Sequence, residues 1–322
     1  MNSSPLGENR RKVIHILIVM SILLCYYTLP LNGKEYVAKI DQGVKDRVIS
    51  LLQEKKITVR FPFESISISS NDKGEKVLSA KSKSALESLK HFLIIDSENE
   101  LEKKVLNAKH FGVLQDRKRV IIIGWKKKLK LRYPNFEEIE PQYEILKDLF
   151  SDLPKIKNGQ GEWGIVKYVK ETNNYLDKYS IRNGVEFTSQ HIARPNNQND
   201  LEIYKIAVNK WVKENKRLNY DELPERLIRH SNTKTFKNRF QVVNHLGVSH
   251  TVVAHICADG HYYIHPDIKQ NRSITVREAA RIQSFPDDYF FEKSRTTAFK
   301  QIGNAVPVLM AEGIANKIKE ML

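Results

Sequence analysis

Apolar and polar positions recur with a helical period in two places near the end of the chain. Val276, Ala279, Ala280 and Ile282 form one stripe. Thr275 and Glu278 open it as a capping box, each side chain able to satisfy a backbone N–H that the first turn leaves unpaired. Pro286 is expected to stop that helix. The second piece is expected to turn at Ile302-Gly303-Asn304 and enter a helix near Pro307, a residue that a first turn tolerates. Leu309, Ala311, Ile314, Ala315 and Ile318 give that helix a buried face, with Lys317, Lys319 and Glu320 mostly opposite. Upstream, the β-branched run Val120 to Ile123 predicts a short strand buried on both faces, and Gly112 before it permits a tight turn.

The remaining pattern is uneven. Val13 to Leu31 is almost uninterruptedly apolar and follows Arg10, Arg11 and Lys12; its length roughly reaches the ~20 residues that span a bilayer. His15, Pro30 and cations on the far side (Lys34, Lys39, Lys45, Arg47) weigh against a simple anchor, because charge then sets no orientation. Three readings stay open: an anchor, a helix buried against a partner, or a segment unrelated to the rest. Lys55 to Phe63 and Phe92 to Ile95 read as short strands, and Ser65 to Ser84, rich in Ser, Lys, Asn and Gly, as a loop. His250 to Pro266 predicts a hairpin, Thr251 to Ile256 and Tyr262 to Ile264 about a turn at Asp259-Gly260.

Composition narrows the partners. The chain carries 53 Lys+Arg against 38 Asp+Glu, a net charge of +15, which favours a polyanion, most often nucleic acid. Only Cys25 and Cys257 are present, which excludes a disulfide framework or a cysteine-based zinc site and suits a reducing compartment. Gly159-Gln160-Gly161-Glu162-Trp163-Gly164 matches the dinucleotide glycine pattern, but no apolar strand precedes it, so the match is read as coincidence. His255, Cys257, His261 and His265 invite a metal reading; it ranks below a structural or DNA-facing role, and no metal is expected.

Wording decides more than composition. Thr275-Val276-Arg277-Glu278-Ala279-Ala280-Arg281, running into Gln283-Ser284-Phe285-Pro286 and followed by Gln301-Ile302-Gly303-Asn304-Ala305-Val306-Pro307, resembles the last two motifs of the DNA (cytosine-5) methyltransferases. Gln115, Arg117 and Arg119, after Leu106-Asn107-Ala108, resemble the same family's Gln-x-Arg-x-Arg motif, with Leu114 where the family normally has Pro. Tyr143 to Pro154 resembles the family's short helix after the motif strand, and Arg194 to Tyr204, with Asn196, Asp200 and Leu201, a further common segment. Lys234 to Phe240 mixes cations with aromatics, as phosphate and base contacts require.

The resemblance implies an α/β fold: a partial Rossmann-like methyltransferase catalytic domain with a mixed α+β target-recognition domain. It divides the chain into an apolar segment 1–34, an unassigned region 35–104, the end of the catalytic domain at 105–125, a target-recognition domain at 126–270 and returning motifs at 271–322. It implies double-stranded DNA as substrate, S-adenosylmethionine as methyl donor and a restriction-modification setting. In the family a cytosine is flipped from the duplex, a cysteine thiolate attacks C6, a glutamate holds the N3 side and a base removes the C5 proton. The site roles this implies fall on Arg119 for the flipped base, Arg117 near the DNA backbone, Gln115 supporting the loop, and Asn304, Ala305 and Val306 lining the donor pocket. Arg277 and Glu278 are expected to tie their helix to the DNA-reading region.

Half of the family's chemistry is missing from these 322 residues. Phe-x-Gly-x-Gly, Pro-Cys-Gln and Glu-Asn-Val are not found; Cys25 and Cys257 lie in unsuitable contexts, and Glu98-Asn99-Glu100 lies too close to Gln115 to serve. The expectation is therefore the C-terminal part of a cytosine methyltransferase that works with a complementing subunit. A truncated inactive methyltransferase and a membrane-anchored DNA-binding protein are the alternatives. A cytoplasmic, nucleoid-associated location is expected, with membrane attachment through residues 13–31 as the variant reading. Without donor-binding strands, the apolar face at Leu309, Ile314 and Ile318 is expected to lack a cover.

Overall fold

The structure, a computed structural model, describes residues 36–37, 66–70, 76–80, 99–229 and 237–321. The apolar run at residues 13–31, Cys25, the strands expected at 55–63 and 92–95, and residues 234–236 of the cation–aromatic stretch lie outside the described residues. Among the described residues no helix is long and apolar enough to cross a membrane. The chain divides into two compact units, residues 1–103 with 122–133, and residues 104–121 with 134–322.

In the first unit, β1 (Tyr36–Val37), β2 (Ile66–Ser70) and β3 (Lys76–Ala80) form an antiparallel sheet in the order β1-β3-β2. The expected loop at Ser65 to Ser84 is thus corrected. Ile66 and Ile68 alternate with serines, the period of a strand, and pair across to Ala80 and Leu78. Two further strands, β4 (Asn99–Asn107) and β5 (Lys118–Lys126), make a second sheet. Burial along β5 alternates, with Ile121 and Ile123 inside and Val120 40% exposed. The strand expected to be buried on both faces therefore has one buried face.

The second unit contains β6 (Gly161–Lys167) and β7 (Phe187–Ile192), an antiparallel pair with a bulge between Glu162 and Ile165. Its helices are α1 (Asn174–Lys178), α2 (Gln198–Glu214), α3 (Val276–Ile282), α4 (Arg295–Asn304) and α5 (Val308–Glu320). A single π turn, Ile145–Leu149, stands where a short helix was expected. The glycine pattern at Gly159 to Gly164 leads into β6; Gly159 and Gly161 take positive φ, and a Cβ on Gly161 would meet the His191 carbonyl at 2.1 Å. Among the described strands with a defined register every ladder is antiparallel, and parallel pairing is limited to isolated bridges such as Gln115 with Ser249. A parallel doubly wound sheet is not built by the described residues.

Three sequence expectations are corrected here. The hairpin at His250 to Pro266 is replaced by a 3₁₀ turn at Ala254–Cys257, and Ile264 bridges Val242 and Ser273 instead. Helix α3 ends at Ile282, four residues before Pro286, because Ser284 takes a left-handed conformation. Ile302-Gly303-Asn304 is not a turn but the last turn of α4.

Two cores hold this unit. The larger gathers Leu114, Ile145, Leu149, Tyr175, Val252, Ile282, Phe299 and Ile302 among others. The smaller packs one face of α2, Ile203, Tyr204, Ala207 and Val208, on Leu218, Tyr220 and Phe240. On α5 the buried positions are Met310, Ile314 and Ile318, while Ala315 is exposed. That face does have a cover: a Cβ on Gly313 would lie 2.6 Å from the Phe111 ring, so the 3₁₀ turn Ala108–Phe111 presses on the helix.

Candidate functional site

The arginine-bearing loop begins at Asn107, whose side chain accepts from the Arg117 N–H at 3.0 Å and donates to Asp116 at 2.8 Å, closing the ends of the loop. Gly112 turns the chain at φ 84°, with the Tyr179 ring filling the space a Cβ would take. Beyond it Ser249 donates to the Leu114 carbonyl and Asp116 to the Ser249 carbonyl, which brings the segment from Ser249 to Val253 alongside.

Gln115 is fully buried and uses both ends of its amide. Its oxygen accepts from the Val252 N–H at 2.9 Å; its NH2 donates to the Ile282 carbonyl at 3.2 Å and to the Gln283 side-chain oxygen at 3.1 Å. Gln283 in turn donates to the Ile302 carbonyl at 2.7 Å, and its own carbonyl accepts from the Val308 N–H. Arg117, 2% exposed, donates to the Val252 carbonyl and, through its other nitrogen, to the carbonyls of Gly303 and Ala305 at 3.1 and 3.0 Å. Arg119, 7% exposed, donates to the Lys118 carbonyl at 2.7 Å.

The segment Asn304, Ala305 and Val306 follows directly. Asn304 is exposed, Ala305 is extended at the end of α4, and Ala305 and Val306 are half-buried. Gly303 lets α4 approach closely: a Cβ there would lie 2.3 Å from backbone atoms of Val253 and Ala254. The two sequence-predicted clusters are therefore joined by direct hydrogen bonds from Arg117. Gln283 and Val252, which complete the network, carry no local sequence signal for contacts with Gln115 made across well over a hundred residues.

Behind these residues α3 is wholly buried, including Arg277, Glu278 and Arg281. The capping box forms as expected, with Thr275 accepting from Glu278 N–H at 3.1 Å and Glu278 accepting from Thr275 N–H at 2.8 Å. Glu278 also receives a two-pronged bond from Arg272 at 2.7 and 2.7 Å. Burial opposes its charge, but Arg272 prevails and holds the carboxyl well below the usual range. Arg277 donates to the Ser189 carbonyl and hydroxyl on β7 and to the Pro286 and Tyr289 carbonyls, linking α3 to β7 and to the segment that follows the helix. Arg281 donates to Asp152 and Asp287, and Arg182 adds a second cation on Asp152. Burial would raise Asp152, yet the bonds from Arg281 and Arg182 keep its carboxyl lowered.

Buried histidines stay neutral. Burial, with Arg272 adding repulsion, pushes His265 down to about 3, so its 3.6 Å approach to Glu278 is not an ion pair at neutral pH. His250, which contacts the Tyr262 carbonyl, is pushed down by burial to about 4. His261 meets Tyr204 at 2.8 Å, and His255 approaches Asp259 at 3.8 Å. Among the described residues no group of three or more His, Cys, Asp or Glu is placed to hold a metal ion.

With this geometry in hand, comparisons with known proteins are specific. A family model described as C-5 cytosine-specific DNA methylase matches residues 76–320. The Type II methyltransferase M.Bpa9945I of Bacillus paralicheniformis is 45% identical over 206 residues, covering 61% of this chain and 46% of that protein. The Type II methyltransferase M.DdeI of Desulfomicrobium norvegicum is 31% identical over 201 residues, 58% of this chain and 45% of that protein. The chain thus spans about half the length of the curated relatives it matches. Among solved structures, a DNA modification methyltransferase encoded within an E. coli prophage overlays 74% of this chain and 64% of its own at 20% identity, with a TM-score of 0.49.

Proposed function

The chain belongs to the C-5 cytosine-specific DNA methylase family, and on that premise we propose that it is the C-terminal part of a DNA (cytosine-5) methyltransferase. It would act on cytosine in a specific duplex site together with a complementing polypeptide carrying Phe-x-Gly-x-Gly, Pro-Cys-Gln and Glu-Asn-Val. Residues 126–270 would read the DNA. The parallel part of a Rossmann-like sheet would come from the complement.

One observation carries this reading. The Arg117 guanidinium bonds the carbonyls on both sides of Asn304, so the arginine-bearing loop and the Gly303 to Ala305 segment are held together by direct hydrogen bonds. On this reading Arg119, at the edge of that loop, binds the flipped base, and Gln115 fixes the loop beneath it. The resemblance put Arg117 near the DNA backbone; on this reading, buried and bonded to protein carbonyls, it instead braces the protein backbone at Val252 and at Gly303 to Ala305.

S-adenosylmethionine supplies an activated methyl group when bound. The residues present fit one wall of its site, since Asn304 is open to solvent and Val306 half-buried while the backbone between them is pinned. Those residues would hold and orient the donor.

The test is transfer of a tritiated methyl group from S-adenosylmethionine to cytosine-containing DNA. The chain alone is expected to give none, and the chain mixed with a polypeptide bearing the missing motifs to give transfer. Methylation by the chain unaided would overturn the proposal.

A further inference from the structure

Away from the arginine loop, the second unit has a half-open cleft of about 920 Å³ between the π turn, the chain around Val169, the solvent side of α2 and the loop at Asp267. Lys147, Lys155, Lys170 and Lys213 stand around it, all four exposed and each from a different stretch of the chain. Between them Val169, Val212 and Ile268 are exposed by 58%, 48% and 37%. The cleft has two carboxylates. Glu278 is committed to Arg272, and the Asp267 carboxylate lies 3.9 Å from Lys155 while also accepting from the Lys269 N–H and the Gln270 side-chain NH2. Exposed β-branched side chains set among four cations, of which Lys147, Lys170 and Lys213 have no carboxylate partner among the described residues, are an unusual surface to leave to water.

We infer that this cleft docks an acidic, amphipathic polypeptide segment of a partner, its apolar side on Val169, Val212 and Ile268 and its carboxylates against the four lysines. Shape and chemistry favour this occupant over nucleic acid. A duplex is convex and meets its partners through phosphates, for which three exposed aliphatic side chains do nothing. A single strand would stack its bases on aromatic rings, but of the rings lining the cleft Phe150 and His265 are 5% and 1% exposed and already stacked on each other, which leaves the half-buried His245 imidazole alone for such a role. A peptide with apolar residues at helical spacing and acids beside them satisfies both parts of the lining.

The test uses the full chain and a fluorescein-labelled synthetic peptide of about 18 residues, with leucines at helical spacing and glutamates between them. Saturable binding is expected, weakened about ten-fold by the pair Lys147→Glu and Lys213→Glu. Val212→Ser, a neutral change at an exposed site, is expected to weaken it about five-fold while leaving affinity for a random-sequence duplex unchanged. Lys319→Glu on α5 makes the same kind of charge change outside the cleft and should have little effect; far-UV circular dichroism checks that each variant is folded. The inference is overturned if the peptide does not saturate, if Lys319→Glu weakens it as much as the cleft pair does, or if Val212→Ser weakens the duplex as much as the peptide, which would make the cleft a nucleic-acid track.

Discussion

Arg117 illustrates how a charged side chain acts when it is taken out of water. Its nitrogens spend their donors on three backbone carbonyls from two separate segments, so removing it strands those acceptors as well as breaking the bonds. Arg117→Met is expected to cost about 2–4 kcal/mol, since unsatisfied buried groups carry their full desolvation penalty. A drop in thermal midpoint of less than a degree would show that the carbonyls find other partners. Gly303 makes a second residue-scale case. A methyl group there would enter the Val253–Ala254 backbone, and Gly303→Ala is expected to cost about 1–3 kcal/mol, read from urea denaturation. If the variant is instead as stable as the parent, α4 does not lie against that backbone as closely as described.

At the scale of an element, α3 inverts the usual helix. Seven residues are all buried, and its cations are neutralised by Asp152 and Asp287 rather than by solvent. Breaking such a pair leaves an uncompensated charge inside, so Arg281→Leu is expected to cost about 3–5 kcal/mol. Removing Asp152 at the same time should return part of that loss, a coupling that a double-mutant cycle measures directly. Strict additivity would mean that the two side chains do not interact. The capping box and the apolar spacing are local, and both were readable. That Arg277 and Arg281 would be inside was not readable from position alone, because their partners Ser189 and Asp152 come from other elements.

Over the whole molecule, the buried histidines set a pH response. His265, His250 and His191 are all held below the ordinary histidine value, chiefly by burial. Below about pH 6.5 the unfolded chain takes up protons that the folded one refuses, so stability is full above that pH and falls on acidification, by about 1.4 kcal/mol per pH unit for each such group. The lowered carboxyls of Glu278 and Asp152 extend the loss into the range below their ordinary values. The urea midpoint should therefore be flat from pH 7 to 8 and decline steeply from about 6.5 to 5. A flat profile across the lower window would mean that these imidazoles are protonated in the folded chain.

Sequence by itself determined the family, the three motif clusters, the capping box at Thr275 and the absence of the thiol-bearing motif, because each depends on residue identity at short spacing. It misplaced what depends on partners far along the chain. Ile302 to Asn304 joined a helix because Gly303 could press on a distant backbone, and the presumed hairpin gave way to bridges with Val242 and Ser273. Only the tertiary structure decided that Gln115 and Arg117 face inward as braces, that Phe111 covers α5, and that lysines from four separate stretches surround one cleft. Spacing along the chain encodes local conformation, whereas which buried donor finds which carbonyl is settled only when the segments pack together.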